Sequence, residues 1–257
     1  MKAVHVDAEN VSEAWLQAMR ALFACPGRRA IHAVVRMADP AAELDVTWSA
    51  LDGWLAQHEL YSIETVANTI FPAHIAAASR DHAHLVERYR RMYPALRKRL
   101  PANRAGTYFG RLVAYPSADG AFDQLGAVID RIRRERVGGN AKQARYEAAL
   151  THPAGLAADT AVATVYMPGG DNSAMGFPCL SHCSFQLDRD GQVHLLAHYR
   201  SQFMVQRGYG NYVGLGRLLA YVAERSSLRT GHLTVVAGLA QIEPPVLGLR
   251  ELVADGS

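Results

Sequence analysis

Phe177-Pro178-Cys179 places a cysteine directly before a segment that predicts a strand, and Tyr199-Arg200-Ser201 and Asn211 follow it along the chain. A thiolate is a nucleophile, and a nearby guanidinium favours the ionised thiol while it can also bind an anionic group. The carboxamide of Asn211 offers both a donor and an acceptor to the edge of a heterocycle. Together these side chains are the parts needed to activate a planar ring through a covalent bond to cysteine.

The C-terminal half of the chain predicts several strands around one long helix. Short β-branched runs predict strands at 161–167, 180–187, 193–202 and 232–239, and an apolar stripe predicts a helix at 209–225. Asp188-Arg189-Asp190-Gly191 has the residue types of a hairpin turn between two of these strands.

The N-terminal half has a more helical pattern. Apolar periodicity predicts helices at 11–24, 46–56, 81–100 and 120–136, and a β-branched run predicts a strand at 30–37. Pro94 is expected to kink or split the helix at 81–100. The stretch 137–158 contains Gly138-Gly139-Asn140, which predicts an irregular or mobile insertion. The order of elements predicts a single mixed α and β domain over residues 1–257.

Composition and charge favour a protein with one sizeable core. The chain has 257 residues, 49% hydrophobic content and a formal net charge of +3, which is too small to indicate nucleic acid binding. Three cysteines in a chain of this length form no even disulfide framework, which favours a reducing compartment. No apolar run reaches the roughly 18 residues of a spanning helix, and the N-terminus lacks a signal-peptide pattern. We therefore expect a cytoplasmic protein with no membrane segment and no requirement for nucleic acid.

The candidate site residues also have ordinary structural interpretations. A lone buried cysteine is most often inert packing, which is our interpretation of Cys183. Cys179 differs because a proline precedes it and Arg200 and Asn211 follow it. Arg200 could equally mark an exposed strand end. Asn211 could cap a helix that begins at Tyr212, since asparagine is common at that position.

Two upstream segments resemble the thymidylate synthase family. The stretch 105–111 is similar to the family's Gly-Pro-Val-Tyr-Gly turn, with Phe109 in the place of the tyrosine and Tyr108 beside it. The stretch 62–66 resembles the segment that carries the family's catalytic glutamate, which gives that role to Glu64. A solvated surface glutamate is the alternative for this residue.

The same family resemblance extends through the nucleophile. Phe177-Pro178-Cys179 is similar to the family's Pro-Cys motif, and Arg200-Ser201 and Asn211 stand at the family's own mutual spacing. The resemblance implies an α+β fold of the thymidylate synthase type, a large mixed β-sheet backed by helices. It further implies a homodimer in which two such sheets pack face to face.

The resemblance also implies a chemistry and a set of site residues. Cysteine adds to C6 of a pyrimidine, and C5 then takes one carbon from 5,10-methylenetetrahydrofolate. The implied partners are therefore a small-molecule pyrimidine and folate. The implied catalytic residues are Cys179, Glu64, Asn211 and Arg200. The implied substrate-binding residues are Arg200, Ser201, Asn211, Gln186, Gln241 and Glu243. Metal binding is not expected, because the histidines and cysteines form no recognisable ligand set.

The departures from the family fall on its sugar and phosphate contacts. Phe203 stands where the family has an aspartate, and Gln241 and Glu243 stand where it has the histidine and tyrosine that bind the deoxyribose hydroxyl. The family's cross-subunit arginine pair is replaced by Asp159-Thr160-Ala161. We therefore expect a substrate other than dUMP.

The resulting expectation is an enzyme that methylates or hydroxymethylates C5 of a pyrimidine nucleotide or related ring, as in the biosynthesis of nucleoside antibiotics. Two alternatives stay open at this point. One is a non-catalytic scaffold or ligand-binding protein with the same fold. The other is an enzyme that uses Cys179 to activate a ring without folate.

Overall fold

A six-stranded mixed sheet forms the centre of the structure, a computed structural model that describes residues 3–99, 103, 106–117, 120–137, 162–164 and 178–255. The strands are β1 Val4–Asn10, β2 Arg29–Asp39, β3 Tyr115–Ser117, β4 Gly120–Phe122, β5 Val162–Thr164, β6 Leu180–Leu187, β7 Gln192–Phe203 and β8 Arg229–Gln241. The helices are α1 Val11–Phe23, α2 Asp45–Gln57, α3 Ile63–Ile70, α4 Ala73–Ala77, α5 His82–Arg99, α6 Tyr108–Val113, α7 Gln124–Val137, α8 Tyr209–Arg225 and α9 Leu249–Asp255. A 3-10 turn at Pro26–Arg28 and a π-helical turn at Met204–Gly208 complete the described elements.

The strand order of the large sheet is β1-β2-β8-β7-β6-β5, and β3 and β4 form a separate hairpin. The pairs β1-β2 and β7-β8 are parallel, whereas β2-β8, β6-β7 and β5-β6 are antiparallel. Strand β7, which carries Arg200 and Ser201, therefore lies near the centre of the sheet, between β6 and β8.

One face of this sheet is covered by helices. In β7 the residues that alternate toward this face are at most 1% exposed: Val193, Leu195, Ala197 and Tyr199. Helix α8 packs against β7 and β8, and α1 packs against β1 and β2. Burial of these apolar side chains is the main stabilising contribution to the layer pair, at about 25 cal/mol for each Å² removed from water.

Helix α8 approaches α3 closely because it has glycine at the contact. A Cβ placed on Gly210 would lie 2.6 Å from the Cβ of Val66, and one placed on Gly214 would lie 2.8 Å from the carbonyl oxygen of Ala67. Side chains at these positions would push the two helices apart. The close packing fixes the first turn of α8, which carries Asn211.

The opposite face of the sheet carries half-buried side chains, including several histidines. The rings of His182 and His198 stack with centroids 5.3 Å apart, and those of His194 and His232 lie 4.1 Å apart. His194 Nε2 lies 3.1 Å from the carboxylate of Asp188 in the β6-β7 hairpin. We refer to this side, with its imidazoles on β6, β7 and β8, as the histidine face.

The structure confirms most of the elements predicted in the C-terminal half. Strand β6 and helix α8 have the predicted bounds, and β7 and β8 are longer than predicted. The described part of the strand expected at 161–167 is β5, and the insertion expected at 137–158 lies outside the described residues apart from the end of α7. No described helix has both the length and the apolar character that crossing a membrane requires.

One prediction in the N-terminal half was wrong. The helix expected at 120–136 begins only at Gln124, because the three residues Gly120–Phe122 pair with β3. Pro94 does not split α5, which continues through it, and a kink at Pro94 stays a prediction. Strand β1 was not predicted, although Val4, Val6 and Ala8 alternate toward the core.

The histidine face makes the stability of the fold depend on pH. Burial, together with the charges of His194 and Arg36, lowers the pKa of His232 to about 4, although Asp188 and Asp7 oppose this shift. In the unfolded chain an ordinary histidine has a pKa near about 6.5. Between about pH 6.5 and pH 4 this histidine is therefore protonated in the unfolded chain but neutral in the folded one. The contribution of His232 to stability is present above this window and is lost as the pH falls through it.

We expect the free energy of unfolding to fall between pH 7 and pH 5, and the substitution His232→Gln to make this fall smaller. Urea denaturation at both pH values measures the difference. His5→Gln, at an exposed position of β1, is the matched control and should leave the pH dependence unchanged. Some dependence should remain in His232→Gln because burial also lowers the pKa of His182 and His198. An identical fall in His232→Gln and the unsubstituted protein would contradict the assignment.

Candidate active site

Cys179 lies immediately before β6, where the neighbouring strand brings Arg200 beside it. The backbone N–H of Arg200 donates to the carbonyl oxygen of Cys179 at 2.8 Å, and Arg200 Nη2 donates to the carbonyl oxygen of Pro178 at 3.0 Å. The side chain of Cys179 is half-buried. The structure thus brings together the predicted nucleophile and the predicted anion-binding arginine.

Two opposing effects set the ionisation of Cys179. Burial raises the pKa of the thiol, and the guanidinium groups of Arg200 and Arg207 oppose this rise. Burial is the larger effect, so the thiol is mainly protonated at neutral pH. The thiolate fraction of Cys179 therefore depends on the two arginines, of which only Arg200 was predicted from the sequence.

Tyr108, at the start of α6, is a second residue near the nucleophile. Burial, with Cys179 close by, raises the pKa of the Tyr108 phenol to about 12, and the backbone amides of Leu180 and Cys179 oppose the rise. The adjacent Phe109 is fully buried and packs edge-to-face against Phe71. Tyr108 rather than Phe109 is therefore the aromatic residue that the turn presents to the nucleophile.

The π-helical turn Met204–Gly208 joins β7 to α8 and is held from two sides. The carboxylate of Glu243 accepts hydrogen bonds from the backbone N–H groups of Val205 at 3.3 Å and Gln206 at 2.7 Å. Trp15 Nε1 donates to the carbonyl oxygen of Met204 at 2.9 Å. Glu243 is only 8% exposed, and its burial raises the pKa of its carboxyl while the backbone amides of the turn oppose that rise.

Arg207 extends from this turn into a cleft between α3 and α5. Its guanidinium carbon lies 5.2 Å from the centroid of the Tyr61 ring. The cleft has a volume of about 340 Å³, and its lining includes Tyr61, Asn68, Ile75, Met92, Leu96, Asn103 and Arg207. Because the charge of Arg207 also opposes the rise in the pKa of the Cys179 thiol, this side chain couples the cleft to that thiol.

Asn211 is the third residue of α8 and is only 4% exposed. The helix begins at Tyr209, and the residue at its N-cap is Gly208, which makes no side-chain cap. The alternative that Asn211 caps a helix beginning at Tyr212 is therefore wrong. The role of Asn211 in binding a ring stays a prediction.

Glu64 lies on α3, and its carboxylate is bonded to Arg217 of α8. Its two carboxylate oxygens accept hydrogen bonds from Arg217 Nη1 at 3.0 and 2.8 Å, and Asn68 Nδ2 donates to it at 2.9 Å. It lines a different cavity, of about 580 Å³, together with Arg217 and Tyr221. No described hydrogen bond or ion pair joins Glu64 to Cys179, so its catalytic role stays a prediction.

The remaining predicted residues lie on three elements. Gln186 is half-buried on β6 and donates from Nε2 to Ser184 Oγ at 2.7 Å. Ser201 is half-buried next to Arg200 near the end of β7, and Gln241 ends β8 opposite Phe203. Among these, only Ser201 is adjacent to a residue that contacts the Cys179 segment. Among the described residues, no cluster of three or more His, Cys, Asp or Glu side chains could hold a metal ion.

Arg207 was therefore not predicted from the sequence, and the sequence did not distinguish between Tyr108 and Phe109. A signal for Arg207 was present, because it lies within the short segment between Arg200 and Asn211. Its direction into the cleft depends on the π-helical turn, which no local pattern indicated.

The hydrogen bonds of Glu243 give a stability prediction. We expect Glu243→Ala to lower the free energy of unfolding by about 2–4 kcal/mol, because it leaves two turn N–H groups without their acceptor. Glu243→Gln keeps one carbonyl acceptor and should cost about 1 kcal/mol. Denaturant titration measures both values. Stability equal to that of the unsubstituted protein, accompanied by weaker substrate binding, would instead favour the substrate-binding role predicted from the sequence.

Comparisons with known proteins bear on the fold of the chain. No family model matches the sequence. Two curated proteins, each named "Putative thymidylate synthase", from Methanosarcina barkeri (strain Fusaro) and Methanosarcina acetivorans, are 32% and 34% identical to the chain over 82 residues. These matches cover 32% of this chain and only 37% of the length of each relative.

A solved structure extends the similarity to most of the chain. The crystal structure of thymidylate synthase from T4 phage superimposes with a TM-score of 0.52 and 16% sequence identity, covering 93% of this chain and 79% of that chain. The similarity and the mixed sheet backed by helices confirm the fold predicted from the sequence. The chain therefore has the fold of the thymidylate synthase superfamily.

Proposed function

We propose that the chain transfers one carbon from 5,10-methylenetetrahydrofolate to C5 of a pyrimidine ring through a covalent adduct with Cys179. The observation that carries this proposal is the position of Arg200, bonded to the backbone on either side of the thiol. A cysteine and an arginine on adjacent strand ends can provide a thiolate and an anion-binding group to one substrate.

In the proposed mechanism the chain's own residues activate the ring. The Cys179 thiolate attacks C6, which moves the electron pair of the C5–C6 double bond toward C5 and O4. Asn211 accepts a hydrogen bond from the ring N3–H and donates one to O4, where negative charge develops. Arg200 stabilises the thiolate before attack, and Tyr108 offers a neutral O–H beside the reacting sulfur. Once C5 has bonded to the one-carbon unit, loss of the C5 proton to water and expulsion of the Cys179 thiolate would restore the C5–C6 double bond.

The cleft beside Arg207 fits the planar ring of a folate cofactor in size and chemistry. Its volume of about 340 Å³, the apolar side chains Ile75, Met92 and Leu96, and the amides of Asn68 and Asn103 suit a planar ring that forms hydrogen bonds at its edge. When bound, methylenetetrahydrofolate supplies the one-carbon unit. The same reduced folate would be the hydride donor for a methyl product and would itself be oxidised to dihydrofolate, whereas water would be the nucleophile for a hydroxymethyl product.

The proposed substrate is a pyrimidine nucleotide or related ring other than dUMP, as in the biosynthesis of modified nucleosides. The position expected to bind a sugar hydroxyl in the family is occupied by Glu243, whose oxygens are bonded to the turn backbone. Phe203, at the position of the family's aspartate, is 42% exposed and offers no hydrogen-bonding group. These substitutions support a rebuilt sugar site.

The proposal includes a homodimer in which the histidine faces of two copies pack together. Half-buried apolar side chains such as Leu196 and Val236 alternate with the imidazoles on this face. It also includes a cytoplasmic location, consistent with the three free cysteines. No nucleic acid or membrane takes part in the proposed reaction.

A ligand-binding protein without catalysis is the second candidate. Two observations favour it: burial leaves the Cys179 thiol mainly protonated, and Glu64 is bonded to Arg217 rather than to a residue next to the thiol. Such a protein would bind a ring in the same place without forming a covalent bond.

A mechanism-based trap tests the proposed function. Fluorine at C5 cannot leave as a cation, so the adduct with a 5-fluoropyrimidine should persist in the presence of methylenetetrahydrofolate. We expect the intact mass to increase by pyrimidine plus folate after incubation with at least one member of a panel of 5-fluoropyrimidine nucleosides and nucleotides. Peptide mapping should place the adduct on Cys179.

Cys179→Ser should form no adduct, whereas Cys25→Ser, at the other half-buried cysteine, should form it normally. An adduct in Cys179→Ser would overturn the proposed nucleophile. No adduct with any compound, from folded protein, would favour the ligand-binding protein. An adduct that forms equally without folate would favour ring activation by cysteine alone.

Asn211→Asp should shift preference from uracil-type to cytosine-type rings by about tenfold or more, because a carboxylate accepts from the exocyclic amine but cannot donate to O4. The ratio of adduct formation with 5-fluorouracil and 5-fluorocytosine nucleotides measures this shift. An unchanged ratio would show that Asn211 does not contact the ring edge.

A further inference from the structure

Arg207 is a half-buried cation that has no acidic partner among the residues that the structure describes. Within that part of the chain it forms no ion pair and no hydrogen bond, and its guanidinium lies over the exposed ring of Tyr61. Arg217, at comparable depth with 27% of its side chain exposed, is paired with Glu64 at 2.8 Å. Partial burial of an unpaired charge is unfavourable, so a position such as that of Arg207 favours an anionic ligand.

The charge of the cleft supports the same conclusion. No aspartate or glutamate is among the described residues that line it, and Arg207 is its arginine. The other basic group in the lining, His74, has 89% of its side chain exposed and lies 3.9 Å from Glu64 Oε1. Tyr89, which also lines the cleft, is buried and hydrogen-bonded to Thr107 at 2.5 Å. The guanidinium therefore lies in a cleft whose described lining is mainly apolar and contains no competing carboxylate.

The direction of Arg207 is set by the turn rather than by solvent. The backbone immediately before it is held by Glu243, and the following Gly208 is packed so closely that an added Cβ would lie 3.4 Å from Trp15 Cδ1. A guanidinium on a fixed backbone can donate two parallel hydrogen bonds to the oxygens of one carboxylate or phosphate.

We propose that Arg207 is a specificity-determining residue that binds a carboxylate or phosphate of a ligand whose flat, apolar part occupies the 340 Å³ cleft. The proposal rests on the proposed function only for the identity of that ligand. Two sources supply the same chemistry there, the phosphate of a pyrimidine nucleotide and the carboxylates of folate. Either would lie next to Cys179, on which the charge of Arg207 acts.

The test compares charged and neutral forms of three probes by calorimetry. The pairs are uridine 5′-monophosphate and uridine, tetrahydrofolate and its dimethyl ester, and 2-naphthoate and 2-naphthamide. The unsubstituted protein should bind the charged member of the naphthalene pair, and of one biological pair, at least about tenfold more tightly than the neutral member. Arg207→Gln should abolish most of this preference, and Arg207→Lys should retain part of it.

Arg189→Gln is the matched control, because Arg189 is exposed in the β6-β7 hairpin and loses the same charge. It should keep the preference of the unsubstituted protein. The biological pair whose preference disappears in Arg207→Gln identifies the source of the anion. Equal preferences in Arg207→Gln and Arg189→Gln, or no preference for any charged probe in the unsubstituted protein, would overturn the proposal.

A second readout does not require a bound ligand. Arg207→Gln should slow the alkylation of Cys179 by iodoacetamide at neutral pH, about tenfold for each unit by which the thiol pKa rises, because the thiolate fraction falls in proportion. Mass spectrometry of the Cys179 peptide measures the rate, and Arg189→Gln should leave it unchanged. An unaltered rate in Arg207→Gln would contradict the proposed position of the guanidinium.

The outcomes separate this proposal from the proposed function. Naphthoate binding that depends on Arg207, without any trapped adduct on Cys179, would retain the anion site and reject the one-carbon transfer. A trapped adduct with unchanged probe preferences in Arg207→Gln would retain the transfer and reject the anion site.

Discussion

The carboxylate of Glu243 holds the backbone of the turn Met204–Gly208, and the arrangement of the site depends on this contact. The turn joins the strand that carries Arg200 to the helix that carries Asn211, and it carries Arg207 itself. Trp15, from the first helix, binds the same turn on its carbonyl side. Groups from distant parts of the chain thus stabilise one short segment. The positions of three candidate ligand-binding side chains, Arg200, Arg207 and Asn211, depend on that segment.

The electrostatics of the thiol follow from this arrangement. Burial of Cys179 disfavours its thiolate form. The two arginines that favour the thiolate come from different elements, β7 and the turn. A shift of either element would change the ionisation of the Cys179 thiol as well as the shape of the candidate site.

Local patterns in the sequence predicted the sheet and its main helix well. Strand β6 and helix α8 had strong alternation and a continuous apolar stripe, whereas the short helices α3 and α6 had too few residues to show a period. The pairing of Cys179 with Arg200 was also predicted, from spacing and from resemblance. The positions of Tyr108 and Arg207 were not, because they depend on the entry of α6 beside β6 and on the π-helical turn, which are tertiary features.

The histidine face has a consequence for association. Burial and neighbouring positive charges keep His232, His182 and His198 neutral, and a second copy packed on this face would remove still more water from them. Dissociation of such a dimer would then be accompanied by uptake of protons. Because protons would bind preferentially to the separated copies, acidification would favour dissociation, as dilution does. The dissociation constant of the dimer would therefore rise as the pH falls.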